Sequence, residues 1–381
     1  MYILAIDTSC DDTSVAILKD DCLLSSVVSS QVEIHKQWGG VVPNLARMEH
    51  EKNIGPCIEL AIRKSGLVGA HLHVRPTLSS GEEQGRHSGL PLHLIDAIAV
   101  TYGPGLAPAL QVGVKKAKEL AIEYNKPLIA VNHIEGHIFS ALIKNRKGNF
   151  YTKNAGLEYP FLSLIVSGGH TEIVWVDDIG KYTILGRTLD DAAGEALDKI
   201  ARLLGLGYPG GAVVEHFAKS GNRKAYDLPR PMKTKDDLNF SFSGLKTSCL
   251  YQIQKLEAEL KENFKKIVPD YCASLQEAVF DILWIKLEKT LKTHKPKMIT
   301  VGGGVSVNLE LRRKLRRGMK DYPEIPILFS DPKFCMDNAA MIGFVGYYLY
   351  LRKKYVININ SLDRKPTLSL AGCGEAFEPK K

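Results

Sequence analysis

Apolar residues in this chain fall in short runs bounded by small and polar ones, and one arrangement occurs twice. Residues 161–176, FLSLIVSGGHTEIVWV, hold an apolar run at 161–166, a break at Ser167-Gly168-Gly169-His170, and a second run at 173–176. This predicts a strand, a tight turn and a return strand. Adjacent glycines in such a turn let backbone N–H groups approach an anion, although an ordinary hairpin carries the same pattern. Residues 2–18, YILAIDTSCDDTSVAIL, repeat it: a strand ends at Asp7, the turn Thr8-Ser9-Cys10 carries Asp11 and Asp12, and a second strand covers 14–18. A third strand is predicted at 22–29.

Each hairpin is followed later by a strand, a glycine loop and a helix. In the first case these are 97–101, Gly103-Pro104-Gly105 and a helix near 110–124; in the second, 298–301, Gly302-Gly303-Gly304 and a helix near 309–319. The expectation is two related α/β lobes, 1–157 and 158–381, with ligands at the strand ends between them. The pattern resembles the actin-like ATPase architecture of sugar kinases and heat-shock chaperones.

Several stretches carry candidate chemistry. After the predicted strand 128–131 comes Asn132-His133-Ile134-Glu135-Gly136-His137. His133 and His137, four apart, share one face of a helix and can reach one metal, or they are ordinary surface histidines. The zinc-protease motif HExxH places its Glu directly after the first His. Glu135 lies two residues on, about 200° around a helix, so a general-base role is poorly supported. In 189–206 an apolar stripe, Ala193, Leu197, Ile200 and Leu204, opposes Asp191, Glu195 and Asp198. Mutually repelling acids are explained if they bind hydroxyls or oppose a cation; a solvated helix face is the alternative. The helix at 309–319 carries Arg312, Arg313, Lys314, Arg316 and Arg317, which suits a solvated or an RNA-contacting face. Asp337 stands at a predicted helix start, as N-cap or metal ligand. A helix at 49–65 presents Ile54, Ile58, Ala61 and Ile62, for the core or for a homodimer contact. Residues 68–93 lack periodicity, and their histidines 71, 73, 87 and 93 have no fixed metal-ligand spacing.

Composition narrows the class. The 381 residues are 45% hydrophobic and 24% charged, which suits a two-domain globular protein. No apolar run is long enough for a transmembrane helix. Seven cysteines without a CxxC pair argue for a reducing compartment. The net charge of +8 permits a polyanionic partner. Met1 leads straight into a strand, so no leader is expected within this chain.

Together, residues 7–13, 103–108, 133–137, 167–171, 190–211, 240–246, 302–308 and 337–343 resemble the universal tRNA threonylcarbamoyladenosine transferase family, once described as O-sialoglycoprotein endopeptidases. The wording Gly194-Glu195-Ala196-Leu197-Asp198-Lys199 is similar to the bacterial and organellar branch, and the chain most resembles its mitochondrial stand-alone member. The pair Asp11-Asp12 departs from the family's Asp-Glu, and 68–93 is longer than the bacterial pattern. The resemblance implies one divalent metal per subunit, iron or zinc, on His133, His137 and Asp337. It implies an adenylate site at Ile165, Val166, Ser167, Gly168, Gly169, Asp198, Gly211 and Asn308, with Asp11 or Asp12 as catalytic carboxylate. The implied substrates are tRNA and threonylcarbamoyl-AMP. A homodimer working without accessory proteins, in the mitochondrial matrix or, for a bacterial chain, the cytoplasm, is the further expectation. A metallopeptidase and an actin-like ATPase are the competing readings.

Overall fold

The computed structural model describes residues 1–67, 91–152 and 156–372. The histidines at 71, 73 and 87 and nearly all of 68–93 lie outside the described residues. The first series comprises β1 (Tyr2–Asp7), β2 (Asp12–Lys19), β3 (Cys22–Ser30), α1 (Val32–Lys36), α2 (Pro43–Ser65), β4 (Ala97–Gly103), α3 (Ala107–Glu123), β5 (Leu128–Asn132) and α4 (His133–Phe139). The second opens with β6 (Phe161–Val166), β7 (Thr171–Asp178), β8 (Lys181–Arg187), α5 (Ala193–Leu203) and α6 (Gly210–Ala218). It continues through α7 (Ser243–Leu260), α8 (Phe264–Thr293), β9 (Ile299–Gly302), α9 (Leu309–Gly318), β10 (Ile327–Phe329), α10 (Pro332–Cys335) and α11 (Ala339–Leu351).

The strands form two five-stranded sheets, β3-β2-β1-β4-β5 and β8-β7-β6-β9-β10. In each, an antiparallel meander joins two parallel strands through its first strand. The repeated apolar pattern is therefore a repeated topology, and β1 and β6 occupy equivalent central places. Strand β8 was not legible from periodicity. It is an edge strand whose Lys181, Thr183 and Arg187 face water, so its apolar signal is thin. Helix α2 begins at Pro43, before the expected 49, because proline is tolerated in a helix's first turn.

The stripe Ile54, Ile58, Ala61 and Ile62 is core, between 0% and 6% exposed. It packs with Leu4, Ile6, Val15 and Ile17 of the first sheet. The dimer contact expected there is thus corrected: sheet packing consumes the apolar face.

Two helices cross between the halves. Helix α4 follows the first sheet's β5 but packs on β6 and β9 of the second. Helix α11 follows the second sheet's β10 but covers β1, β2, β4 and β5 of the first. They pack on each other, and a Cβ on Gly136 would come within 2.7 Å of Met341.

Ile58→Ala should lower stability by about 2–5 kcal/mol, seen as a shifted urea midpoint at constant slope. Ile58→Glu should cost more, because it buries a charge. A glutamate variant as stable as the wild type and altered only in sedimentation would return the stripe to the surface.

Candidate metal and nucleotide site

Helix α4 starts where it does because Asn132 caps it. The Asn132 Oδ1 accepts from Ile134 N at 2.8 Å, and Glu135 Oε2 accepts from Asn132 N at 3.3 Å, closing a capping box. This fixes His133 as the first helical residue and puts His137 one turn on, both buried. The other Glu135 oxygen accepts from the Tyr182 hydroxyl at 2.7 Å. Both carboxylate oxygens therefore serve the structure, which leaves the peptidase reading without its base.

The acid comes from the other half. Asn338, not Asp337, is the N-cap of α11, its Oδ1 accepting from Met341 N. Asp337 is left to point at the histidines, its Oδ1 3.3 Å from the Nε2 of His133 and 3.3 Å from that of His137. One donor atom from each of the three lies within 4.8 Å of the others. Behind them, Asp7 Oδ2 lies 3.4 Å from His133 Nδ1. Asp7 Oδ2, His133 Nδ1 and both His137 nitrogens are buried without hydrogen bonds. Such atoms are costly unless a cation or proton joins them. Two imidazoles and one carboxylate suit divalent iron or zinc, with coordination positions left for substrate.

Without a cation the acids and histidines set one another's charge. Burial opposes charge on His133, but Asp337 and then Asp7 outweigh it and raise its pKa. Burial lowers His137, and holds His170 down to about 4 with help from the neighbouring histidines. Asp12, whose Oδ1 also lacks a partner, is pushed up to about 7, first by burial and then by Asp11, Asp337 and Asp7. A bound cation would pull it back down.

The nucleotide candidates separate into groups. Ile165 and Val166 are wholly buried in β6, so only their backbone can face a ligand. The Ser167 hydroxyl accepts from His170 N at 3.0 Å, which shapes the turn. No protein atom crowds the Cβ positions of Gly168 and Gly169. Gly194 at the start of α5 and Gly303 at φ +87° are both packed against residues 166–168, where a Cβ would lie within 2.7 Å of a carbonyl oxygen. Asp198 Oδ1 accepts from Gly211 N at 3.0 Å, tying α5 to the first turn of α6. The predicted acidic face is resolved by lysines: Asp191 meets Lys199 and Lys246, and Glu195 meets Lys199. Asn308 is buried and caps α9, accepting from Glu310 N and Leu311 N while donating to Gln276. Asp11 lies in the turn between β1 and β2 and Asp12 opens β2, on the side of Asp7. Asp7 and His170 join the site only through the fold; in the sequence, the one signal for Asp7 is a lone polar residue closing a buried strand.

The basic helix α9 is also divided. Arg313, Arg316 and Arg317 are exposed, but Arg312 and Lys314 are buried. Arg312 donates to Ser306 O at 2.6 Å and Ser330 O at 2.7 Å, and Lys314 pairs with Glu277 and Asp281. The helix expected to present one solvated or RNA-contacting basic face is half structural, with Arg312 and Lys314 built into the fold.

A family model described as tRNA N6-adenosine threonylcarbamoyltransferase (TsaD) matches residues 22–74 and 68–344. Proteins of that name from Thermosipho africanus and Clostridioides difficile are each 42% identical to the chain. They cover 97% and 96% of it, and 100% and 98% of their own lengths. Among solved structures, the HypF protein of T. kodakarensis overlays 92% of this chain and 48% of its own, with TM-score 0.55 at 14% identity. A full-length HypF in a phosphate- and nucleotide-bound form overlays 92% and 46%, with TM-score 0.54 at 11% identity. These overlays support the fold, the actin-like ATPase architecture of two α/β lobes.

Arg312→Met preserves volume but strands the carbonyls of Ser306 and Ser330, in the segments that lead into α9 and α10. Chemical denaturation should report a loss of about 2–4 kcal/mol, whereas Arg316→Met should stay within about 0.5 kcal/mol of wild type.

Proposed function

The chain belongs to the tRNA N6-adenosine threonylcarbamoyltransferase family, and on that premise we propose that it carries threonylcarbamoyl from threonylcarbamoyl-AMP to tRNA. The acceptor is N6 of the adenosine 3′ of the anticodon, in tRNAs that read codons beginning with A. The observation that carries this reading is the convergence of His133, His137 and Asp337 from both halves, in a fold whose other strand end offers the open Ser167–Gly169 turn.

The N6 nitrogen forms a bond to the carbamoyl carbon, the bond from that carbon to the phosphate oxygen breaks, and AMP leaves. A divalent iron or zinc ion on the two histidines and Asp337 would supply Lewis acidity toward the carbamoyl or hold the threonyl carboxylate. The backbone of Ile165–Gly169 approaches the phosphate. Asp198, with Gly211 in the adjoining turn, takes the ribose side, and Asn308 fixes the loop that closes behind Gly303. Asp11 and Asp12 are the carboxylates available to take the proton released from N6. The bacterial origin of the relatives favours a cytoplasmic setting over the mitochondrial matrix. The chain is expected to need no accessory protein. The burial of the 54–62 stripe leaves the dimer expectation without an assigned surface.

Purified chain, metal, threonylcarbamoyl-AMP and tRNA should yield modified tRNA and one AMP per transfer. Release of ADP or of a cleaved peptide instead would sink the reading. The double variant His133→Ala, His137→Ala should lose the metal in elemental analysis and fall at least 100-fold in rate. Asp198→Ala should weaken adenylate binding about tenfold in calorimetry, at a stability cost near 1 kcal/mol from the lost bonds to α6.

A further inference from the structure

Among the exposed large apolar side chains, Trp38 stands apart by position. It is 65% exposed, and isolated exposed apolar residues ordinarily need no explanation. The loop that carries it, 37–42, is built on a buried polar network. His35 Nε2 bonds Gln31 Oε1, Gln31 Nε2 bonds His50 Nδ1, and Thr13 Oγ1 bonds the same nitrogen at 2.7 Å. Trp38 N itself donates to His35 O. Satisfied buried networks of this kind rigidify what they support.

The network reaches the catalytic turn. Gln31 N donates to Asp11 O, and His50 Nε2 lies 3.0 Å from Cys10 O. On the other side, Gly39 O accepts from Arg202 Nη2 on α5, one helical turn from Asp198. The loop therefore bridges the mouth of the cleft from the Asp11 side to the Asp198 side. It holds the Trp38 indole out in water there. Among the described residues, the other strongly exposed aromatic is Tyr251 on α7, whose side chain makes no hydrogen bond to either side of the cleft.

We infer that Trp38 is a stacking platform for a nucleobase of the tRNA anticodon loop, positioning the neighbouring adenosine for attack. This rests on the transfer reading above. Unpaired bases are recognised by stacking on aromatic rings, and each such contact is strong enough to change affinity about 5- to 150-fold. The adenine of the adenylate is the other purine present, and the test separates the two.

Steady-state transfer should show kcat/KM for tRNA reduced about ten- to a hundredfold in Trp38→Ala, mainly through KM, with KM for the adenylate unchanged. Trp38→Phe should recover most of this and Trp38→Leu should not. In the wild-type chain an anticodon stem-loop should quench tryptophan emission, the quench should be lost in Trp38→Phe, and AMP alone should not produce it. Unchanged kcat/KM in Trp38→Ala, rescue by leucine as good as by phenylalanine, or quenching by AMP alone would overturn the inference. If the wild type transfers nothing, the transfer reading fails, and the stem-loop quench then decides the base contact by itself.

Discussion

The close crossing of α4 and α11 is the constraint on which the site depends. Helix α4 packs on β6 and β9 of the second sheet as well as on β4 and β5 of its own, and α11 leaves β10 for the sheet of the other half. Gly136 meets Met341 and Ile342, Gly343 meets Leu18 and Ala5, and Gly302 lies against the carbonyl of His137. At these contacts a single methyl would collide with packed neighbours. The crossing brings the first turn of α11, just after Asp337, down onto the first turn of α4, just after Asn132, so ligands far apart in sequence share one point. The Ser140 and Ser330 hydroxyls, 2.5 Å apart, tie the same two segments together one step further out.

That arrangement concentrates polar atoms where water is excluded. Asp7, His133 and His137 are nearly inaccessible, and several of their side-chain atoms lack hydrogen-bond partners. A folded chain tolerates such a cluster only if something charged completes it or if proton sharing relieves it. The opposed pKa shifts of His133 and His137 are the second solution, and the geometry of three converging donors suits the first. The nucleotide side is built differently. Its candidate contacts are backbone turns kept open by Gly168 and Gly169, which bind by shape and dipole without burying a charge.

Much of this was legible because it is periodic or punctuated. The two strand–turn–strand repeats, the glycine loops after β4 and β9, and the four-residue spacing of His133 and His137 all survive as local features. What sequence could not supply was which face meets which neighbour. The 54–62 stripe has the same pattern whether it meets a sheet or a second chain. Arg312 and Arg313 are adjacent in sequence, yet one is buried against carbonyls and the other is in water. Asp7 reads as the end of a strand until His133 is placed 3.4 Å away. Edge strand β8 was lost because half-wet strands carry little apolar signal. In each case the deciding partner is set by tertiary packing and not by the local pattern.

The helix exchange also governs how the protein can be made. Ala339 N donates to Ser14 Oγ across 325 positions, and α11 forms part of the cover on the first sheet. A ribosome adds about 5–20 residues per second, so the opening hairpin waits roughly 15–70 s for that cover. During the wait, Ile3, Ala5, Ala16 and Leu18 lack the layer that buries them in the finished fold. Topologies of such high contact order close slowly. The nascent first half thus exposes the apolar face of its opening hairpin until α11 is made, and exposed apolar strands of this kind are prone to associate.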